Sequence, residues 1–197
     1  MPPRARRLAA PLAAFLVGLV ALLIAAYLTF APSPRMTTAS AVGGPFSLTA
    51  GDGRAVTEKD FLGTPHLVFF GFTHCPDVCP TKLFELSEML RALGSKGAKV
   101  RALFITVDPE RDTPAVMKSY GSSFDPRIVG LTGDRAQIDA VVRAYRAYAK
   151  KVPLKDGDYT MEHTSLVYLM DKDGRFIGSF NVERPPAQAA QDLLRYL

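Results

Sequence analysis

The run His66-Leu67-Val68-Phe69-Phe70-Gly71-Phe72 constrains the fold more than any other part of this chain. Beyond His66 it is continuously apolar and does not alternate, and Pro65 bounds it at one end. A strand with one wet face alternates with period two, whereas a short unbroken apolar run is a strand covered on both faces. A chain containing such a strand must supply helices to a sheet, and the sequence does so at once. Leu83, Leu86, Leu90 and Leu93 fall at helical spacing within Thr81 to Leu93, and Gly94 ends the pattern. Val100 to Val107 predicts a second buried strand. Thr113-Pro114 opens a short helix with proline at its first position. Ile128 to Leu131 reads as a short strand. From about Asp134 to Lys150, Ile138, Val141, Val142, Tyr145 and Ala149 make one helical face.

The ends of this region are hairpins and a helix. Phe46 to Ala50 alternates and runs into Gly51-Asp52-Gly53, a turn. Ser165 to Met170 and Phe176 to Asn181 flank Asp171-Lys172-Asp173-Gly174, a second hairpin signal. Pro186 to Leu197 reads as a closing helix. The order predicts an α/β domain. It matches a thioredoxin-like fold with an N-terminal β-hairpin and an inserted strand-helix. In open α/β sheets ligands gather at the carboxyl ends of the strands.

Four domains of the chain are expected: an N-terminus over residues 1–7, an apolar span over 8–30, a linker over 31–43 and the α/β domain over 44–197. Arg4, Arg6 and Arg7 precede Leu8 to Phe30, a stretch of 23 residues without a charge. A spanning helix needs about 20 apolar residues, and the core of a cleaved signal peptide about 7–15. The length favours one transmembrane helix, and the positive-inside rule puts residues 1–7 in the cytoplasm and the domain on the far side. A signal peptide cut after Ala39-Ser40-Ala41 is the competing reading. Four of the 24 Lys/Arg lie within residues 1–35, where there is no acid, so the remaining 20 nearly balance the 19 Asp/Glu. The net charge of +5 is thus mostly a topology signal, and no basic groove with interleaved aromatics points to nucleic acid.

The only two cysteines, Cys75 and Cys79, stand in Gly71-Phe72-Thr73-His74-Cys75-Pro76-Asp77-Val78-Cys79-Pro80, between the buried strand and the first helix. Residues four apart in a first helical turn have Cβ atoms about 5–6 Å apart. A disulfide needs about 3.5–4.5 Å. The pair can therefore close with some adjustment, or hold an ion between two sulfurs. A helix N-terminus favours thiolate, the form that both binds copper and attacks disulfides. A purely structural disulfide closing so short a span would constrain the unfolded chain little.

Cu(I) is soft and suits thiolates plus an imidazole. His66 opens the buried strand and reads as structural. His74 adjoins Cys75 and could gate the site or tune its charge. His163 precedes the strand Ser165 to Met170, whose start lies beside the cysteine turn in a thioredoxin-like fold, and is the expected third ligand. Asp108 ends the second central strand within Val107-Asp108-Pro109-Glu110-Arg111-Asp112-Thr113-Pro114. It is read either as a turn residue, since Asp before Pro starts turns, or as a group orienting His163 or offering a hard oxygen to Cu(II). Asp112 and Thr113 read as helix-cap residues.

The Cys75-to-Pro80 turn, the Val107-to-Pro114 segment and His163-Thr164-Ser165 together resemble the Sco/SenC family, over roughly residues 44–197 and the anchor. The resemblance implies a membrane-anchored copper chaperone that holds copper through Cys75, Cys79 and His163. It implies delivery to the binuclear CuA site of cytochrome c oxidase subunit II, with other periplasmic copper chaperones or thiol reductants as further partners. It equally admits a thiol-disulfide oxidoreductase that reduces the CuA-site cysteines, or a redox sensor. The redox-active disulfide would be Cys75–Cys79, and Asp108 would support the site. No proline precedes Ser165, where disulfide-exchanging thioredoxins carry one, which favours metal handling. The absence of an Arg- and Ser-rich transit segment favours a bacterial inner membrane, with the domain in the periplasm.

Overall fold

The buried run forms strand β3, His66–Gly71, and every residue of it is buried. In the computed structural model, which describes residues 15–23, 42–155 and 157–197, β3 lies inside a seven-stranded sheet. Its neighbours are β4, Arg101–Thr106, parallel to it, and β8, Val167–Met170, antiparallel. β4 pairs in parallel with β5, Ile128–Thr132. The hairpin of β1, Ser47–Ala50, and β2, Ala55–Thr57, adds antiparallel to β5, and β9, Phe176–Phe180, closes the other edge. The sheet order is β2-β1-β5-β4-β3-β8-β9. This is the expected thioredoxin-like architecture with its N-terminal hairpin.

Alternation along β3 sends Phe69 and Phe70 to opposite faces. Phe69 stacks on Phe104 of β4, with ring centroids 6.0 Å apart. Phe70 meets Tyr145 and Tyr168 edge-on at 5.5 and 5.9 Å. The helices are α1, Val78–Leu93; α2, Pro114–Gly121; α3, Arg135–Ala144; and α4, Pro186–Leu194. α1 packs beside α4, and the end of α3 delivers Tyr145 to the Phe70 face. Fully burying one such aromatic or aliphatic side chain contributes about 1.5–3 kcal/mol. β3, β4 and β5 all run the same way, so Gly71, Thr106 and Thr132 end at one edge of the sheet.

One expectation needs correcting. The helix expected to reach Lys150 stops at Ala144, and Ala149–Pro153 is a strand, β6. Arg146 takes a left-handed conformation, φ 53°, which breaks the helical path. β6 pairs with β7, Tyr159–His163, in a separate two-stranded sheet that the sequence reading did not anticipate. Residues 15–23 are helical and exposed. Among the described residues no helix is long and apolar enough to cross a membrane. Residues 1–7 and most of the expected span 8–30 and linker 31–43 lie outside the described residues.

Candidate metal centre

The cysteine turn is built where β3 ends. Thr73 is fixed there by Asp112, whose carboxylate accepts from the Thr73 amide at 3.0 Å and the Thr73 hydroxyl at 2.6 Å. The Thr106 hydroxyl donates to the same carboxylate at 2.6 Å. Asp112 is fully buried, so three donors are what makes its burial tolerable. It was expected as a helix cap. Thr113 alone takes that role for α2, accepting from the Val116 amide, while Asp112 faces the cysteine turn.

α1 begins at Val78, so the amide of Cys79 is one of the donors a helix start leaves unpaired. It donates to Cys75 Sγ at 3.3 Å, the position a capping oxygen would occupy. Cys79 Sγ lies against Gly71. A Cβ on Gly71 would stand 2.8 Å from that sulfur and 2.7 Å from the Phe104 ring. Cys79 is therefore fully buried, whereas Cys75 is half-buried, and both thiols are free. Burial pushes the Cys79 thiol well above the ordinary thiol range, opposed by a Phe72 backbone hydrogen bond and reinforced by Cys75.

His163 reaches the same place by another route. It is the last residue of β7, paired with Ala149, rather than a residue leading directly into β8. Its Nδ1 lies 3.0 Å from the Thr164 carbonyl, which can only accept, so Nδ1 carries the proton. Nε2 is left with its lone pair, 3.5 Å from Cys79 Sγ. Phe69 and Phe72 pack edge-on against the ring at 6.3 and 5.8 Å. Their burial of the imidazole lowers its pKa, against the Thr164 carbonyl, and keeps it in the neutral form that binds metals. Cys75 Sγ, Cys79 Sγ and a His163 ring nitrogen all lie within 4.8 Å of one another. Two soft sulfurs and one neutral imidazole in a partly dry pocket fit a soft copper ion.

Asp108 does not join that group of ligand atoms. Its fully buried carboxylate accepts from Arg111 Nε at 2.5 Å and from the Tyr159 hydroxyl at 3.0 Å. Arg111 also donates to the Tyr159 carbonyl at 3.1 Å and lies 3.8 Å from the centre of the Tyr159 ring. Tyr159 opens β7, the strand that ends in His163, so Asp108 and Arg111 grip the hairpin rather than the imidazole. Sequence reasoning missed Arg111 and Tyr159, since no periodicity marks a contact between a turn and a hairpin. His66 is buried at the opposite end of β3. His74 is exposed, with Nδ1 3.2 Å from Thr73 Oγ1.

The SCO1/SenC family model matches residues 34–197, and the chain belongs to that family. It is 42% identical over 159 residues to the mitochondrial SCO1 homologue of Mus musculus, covering 79% of this chain and 56% of that protein. The human SCO1 homologue is 41% identical, with 53% of its length covered, so the chain spans about half the length of these relatives. Among solved structures, ScoI of Bradyrhizobium japonicum with copper bound superposes with a TM-score of 0.77 at 65% identity, over 80% of this chain and all of that one. A more distant neighbour is BsSco, described as having a disulfide switch and as a member of the Sco family of cytochrome c oxidase assembly proteins. It superposes at TM-score 0.62 and 25% identity, over 78% of this chain and 92% of that chain.

Proposed function

We propose that this member of the SCO1/SenC family is a membrane-anchored copper chaperone that delivers copper to the CuA site of cytochrome c oxidase subunit II. Cys75 and Cys79 thiolates and His163 Nε2 hold the ion, and Asp108 supports the site through the hairpin. The observation that carries this reading is the convergence of the three ligand atoms within 4.8 Å. Likeness to a copper-bound ScoI supports the metal, and the family's association with oxidase assembly supports the destination. Residues 8–30 anchor the chain in a bacterial inner membrane, residues 31–43 link, and residues 44–197 work in the periplasm. The uncharged apolar length and the flanking arginines support that topology.

The chemistry follows from the site. The buried Cys79 proton is costly to remove without a cation, so metal uptake and thiol deprotonation are coupled. His163 needs no deprotonation, because Nδ1 already holds the only proton. Oxidation of the two thiolates to a Cys75–Cys79 disulfide, with two electrons passing to an external oxidant, removes both sulfur ligands and would release the ion. Anaerobic titration of the full chain in detergent with Cu(I) tests the reading. One copper per chain is expected, with binding lost in Cys79→Ala and strongly weakened in His163→Ala. Full binding by both variants sinks it.

A second reading has its own observation. Cys75 is partly exposed beside a fully buried partner, the arrangement of an attacking thiol and a resolving thiol. A thiol-disulfide oxidoreductase reducing the CuA-site cysteines, or a redox sensor, would depend on both cysteines and not on His163. Copper-free reduction of an oxidised subunit II fragment by His163→Ala at the wild-type rate would favour it.

A further inference from the structure

We infer that the end of the domain opposite the cysteines seats on the membrane, with a cleft beside Leu62, Lys99 and Arg101 taking the phosphate of an anionic lipid headgroup. The inference rests on the anchor proposed above and adds how the tethered domain is aimed.

The point where the chain enters the domain locates the seat. β3 runs from His66 at one end of the sheet to Gly71 beside the cysteine turn, six residues and about 20 Å away. Gly43 lies at the His66 end. A Cβ on Gly43 would stand 2.8 Å from Cε of Met170, the residue paired with His66, and 3.9 Å from the Gly174 carbonyl. A Cβ on Gly174 would in turn stand 3.0 Å from Leu62 Cδ2. The Gly63 amide donates to the Lys172 carbonyl at 2.7 Å, and the Leu62 amide to the Lys59 carbonyl at 3.3 Å. The chain that leads back to the proposed anchor thus joins the domain next to Leu62, at the end away from the metal centre.

The chemistry around Leu62 suits a lipid surface. Leu62 is 46% exposed and borders a cleft of about 170 Å³ that Phe61, Thr64, Lys99 and Arg101 also line. Arg101 Nη1 donates to the Ala98 and Val100 carbonyls, each at 2.9 Å. Those two bonds brace the guanidinium and leave Nε and Nη2 for the bidentate pairing that phosphate accepts. Lys59, Lys99 and Lys172 are exposed and, like Arg101, form no ion pair among the described residues. Asp60, the acid among the cleft residues, is turned to Thr57, accepting from its amide at 2.7 Å and its hydroxyl at 3.2 Å. Scattered surface lysines are ordinary. A bare leucine ringed by unpaired cations is the pattern of an interfacial contact, in which the apolar group enters the headgroup boundary and the cations meet phosphates. Seated in this way, the domain holds Cys75, Cys79 and His163 on the side facing away from the bilayer.

The chain has no tryptophan, so a single reporter can be placed at will. Leu62→Trp reports from the seat, and Leu166→Trp, 53% exposed in the wild type and just after His163, reports from the copper end. The full chain is reconstituted into nanodiscs of phosphatidylglycerol or of phosphatidylcholine, each carrying brominated acyl chains as quencher. The Leu62→Trp emission should shift to the blue and be quenched in phosphatidylglycerol, and far less in phosphatidylcholine. The Leu166→Trp emission should stay unquenched in both. Adding Lys99→Gln or Arg101→Gln to the Leu62→Trp chain should lower the ratio of seated to unseated domain about fivefold each. Potassium phosphate should unseat the domain no more than potassium chloride of equal ionic strength. An unquenched Leu62→Trp chain, equal quenching in the two lipids, or indifference to both charge removals overturns the inference. So does a Leu166→Trp chain quenched as strongly as Leu62→Trp. Unseating by phosphate beyond that by chloride would make free phosphate the ligand and overturn the lipid seat. A wild-type chain that washes off the nanodiscs in high salt would instead overturn the anchor itself.

Discussion

Replacing Gly71 by Ala should damage copper binding through one added methyl group. Gly71 has no positive φ, so its backbone accepts Ala, and removing a flexible residue from a strand is worth about 0.5–1 kcal/mol in favour of the variant. Space is what opposes it. The new Cβ would lie 2.7 Å from Phe104 Cε2, 2.8 Å from Cys79 Sγ and 3.3 Å from Phe69 Cε1. Carbon contacts are comfortable at about 3.5–4.0 Å, so the carbon overlap with Phe104 approaches 1 Å. Phe104 cannot retreat freely, since it lies between Phe69 at 6.0 Å and Tyr120 at 5.9 Å. Overpacking of this kind costs about 1–3 kcal/mol, leaving a net loss of up to about 2.5 kcal/mol in the metal-free protein. The sulfur must then move by several tenths of an ångström, whereas metal–ligand distances tolerate about 0.2 Å. Copper affinity should fall about 10–100-fold. Competition against a Cu(I) chelator and thermal unfolding of the metal-free chain measure the two effects. Gly53→Ala is the control, because φ there is 85° and the space is open. It should lose stability and keep copper affinity. A Gly71→Ala protein that is destabilised but binds copper with wild-type affinity would refute the claim that this glycine holds the Cys79 sulfur in place.

Three further outcomes are expected. Asp112→Ala leaves the buried Thr106 hydroxyl and the two partly buried donors of Thr73 unpaired and should cost about 2–3 kcal/mol in denaturant unfolding. Asp112→Asn should cost less, because its amide oxygen still serves the Thr73 amide and the Thr106 hydroxyl; equal losses would contradict the three-donor account. Tyr159→Phe removes the 3.0 Å bond to Asp108, and hydrogen exchange should quicken at amides 159–163 while β3 and β4 stay protected. His66 has its pKa lowered by burial, against the Thr64 carbonyl and the Asp171 charge. The folded state therefore binds fewer protons than the unfolded one. Stability should be level above about pH 6.5 and fall as pH drops toward the folded pKa, by at most about 1.4 kcal/mol per pH unit. His66→Phe should flatten that acid limb relative to the wild type; an unchanged limb would show that His66 is not responsible.

What could be read from the sequence, and what could not, divides along a physical line. Elements defined by their own side-chain period were legible: the all-apolar β3, the leucine face of α1, and the proline-opened α2. The convergence of Cys75, Cys79 and His163 was expected from the strand order, although His163 arrives on a hairpin outside the main sheet. The β6–β7 hairpin was not. Tyr145 and Ala149 continue the helical period of Ile138, Val141 and Val142, and that pattern concealed the Asp156-Gly157 turn signal between the two strands. The left-handed Arg146 that ends the helix has no Gly or Asn to announce it. The roles of Asp108 and Asp112 were hidden for a different reason. Both sit in one short turn, yet Asp112 reaches back to Thr73 beside the cysteines and Asp108 reaches forward to Tyr159 on the histidine hairpin. A carboxylate's partner across 39 or 51 residues leaves no trace in local spacing. The consequence is mechanical. The hairpin with His163 lies outside the main sheet and the cysteines lie at its edge. The two halves of the ligand set are therefore tied twice, by the β3–β8 ladder that starts four residues after His163 and by the turn from Asp108 to Asp112. Loosening either grip should cost ligand geometry before it costs the fold.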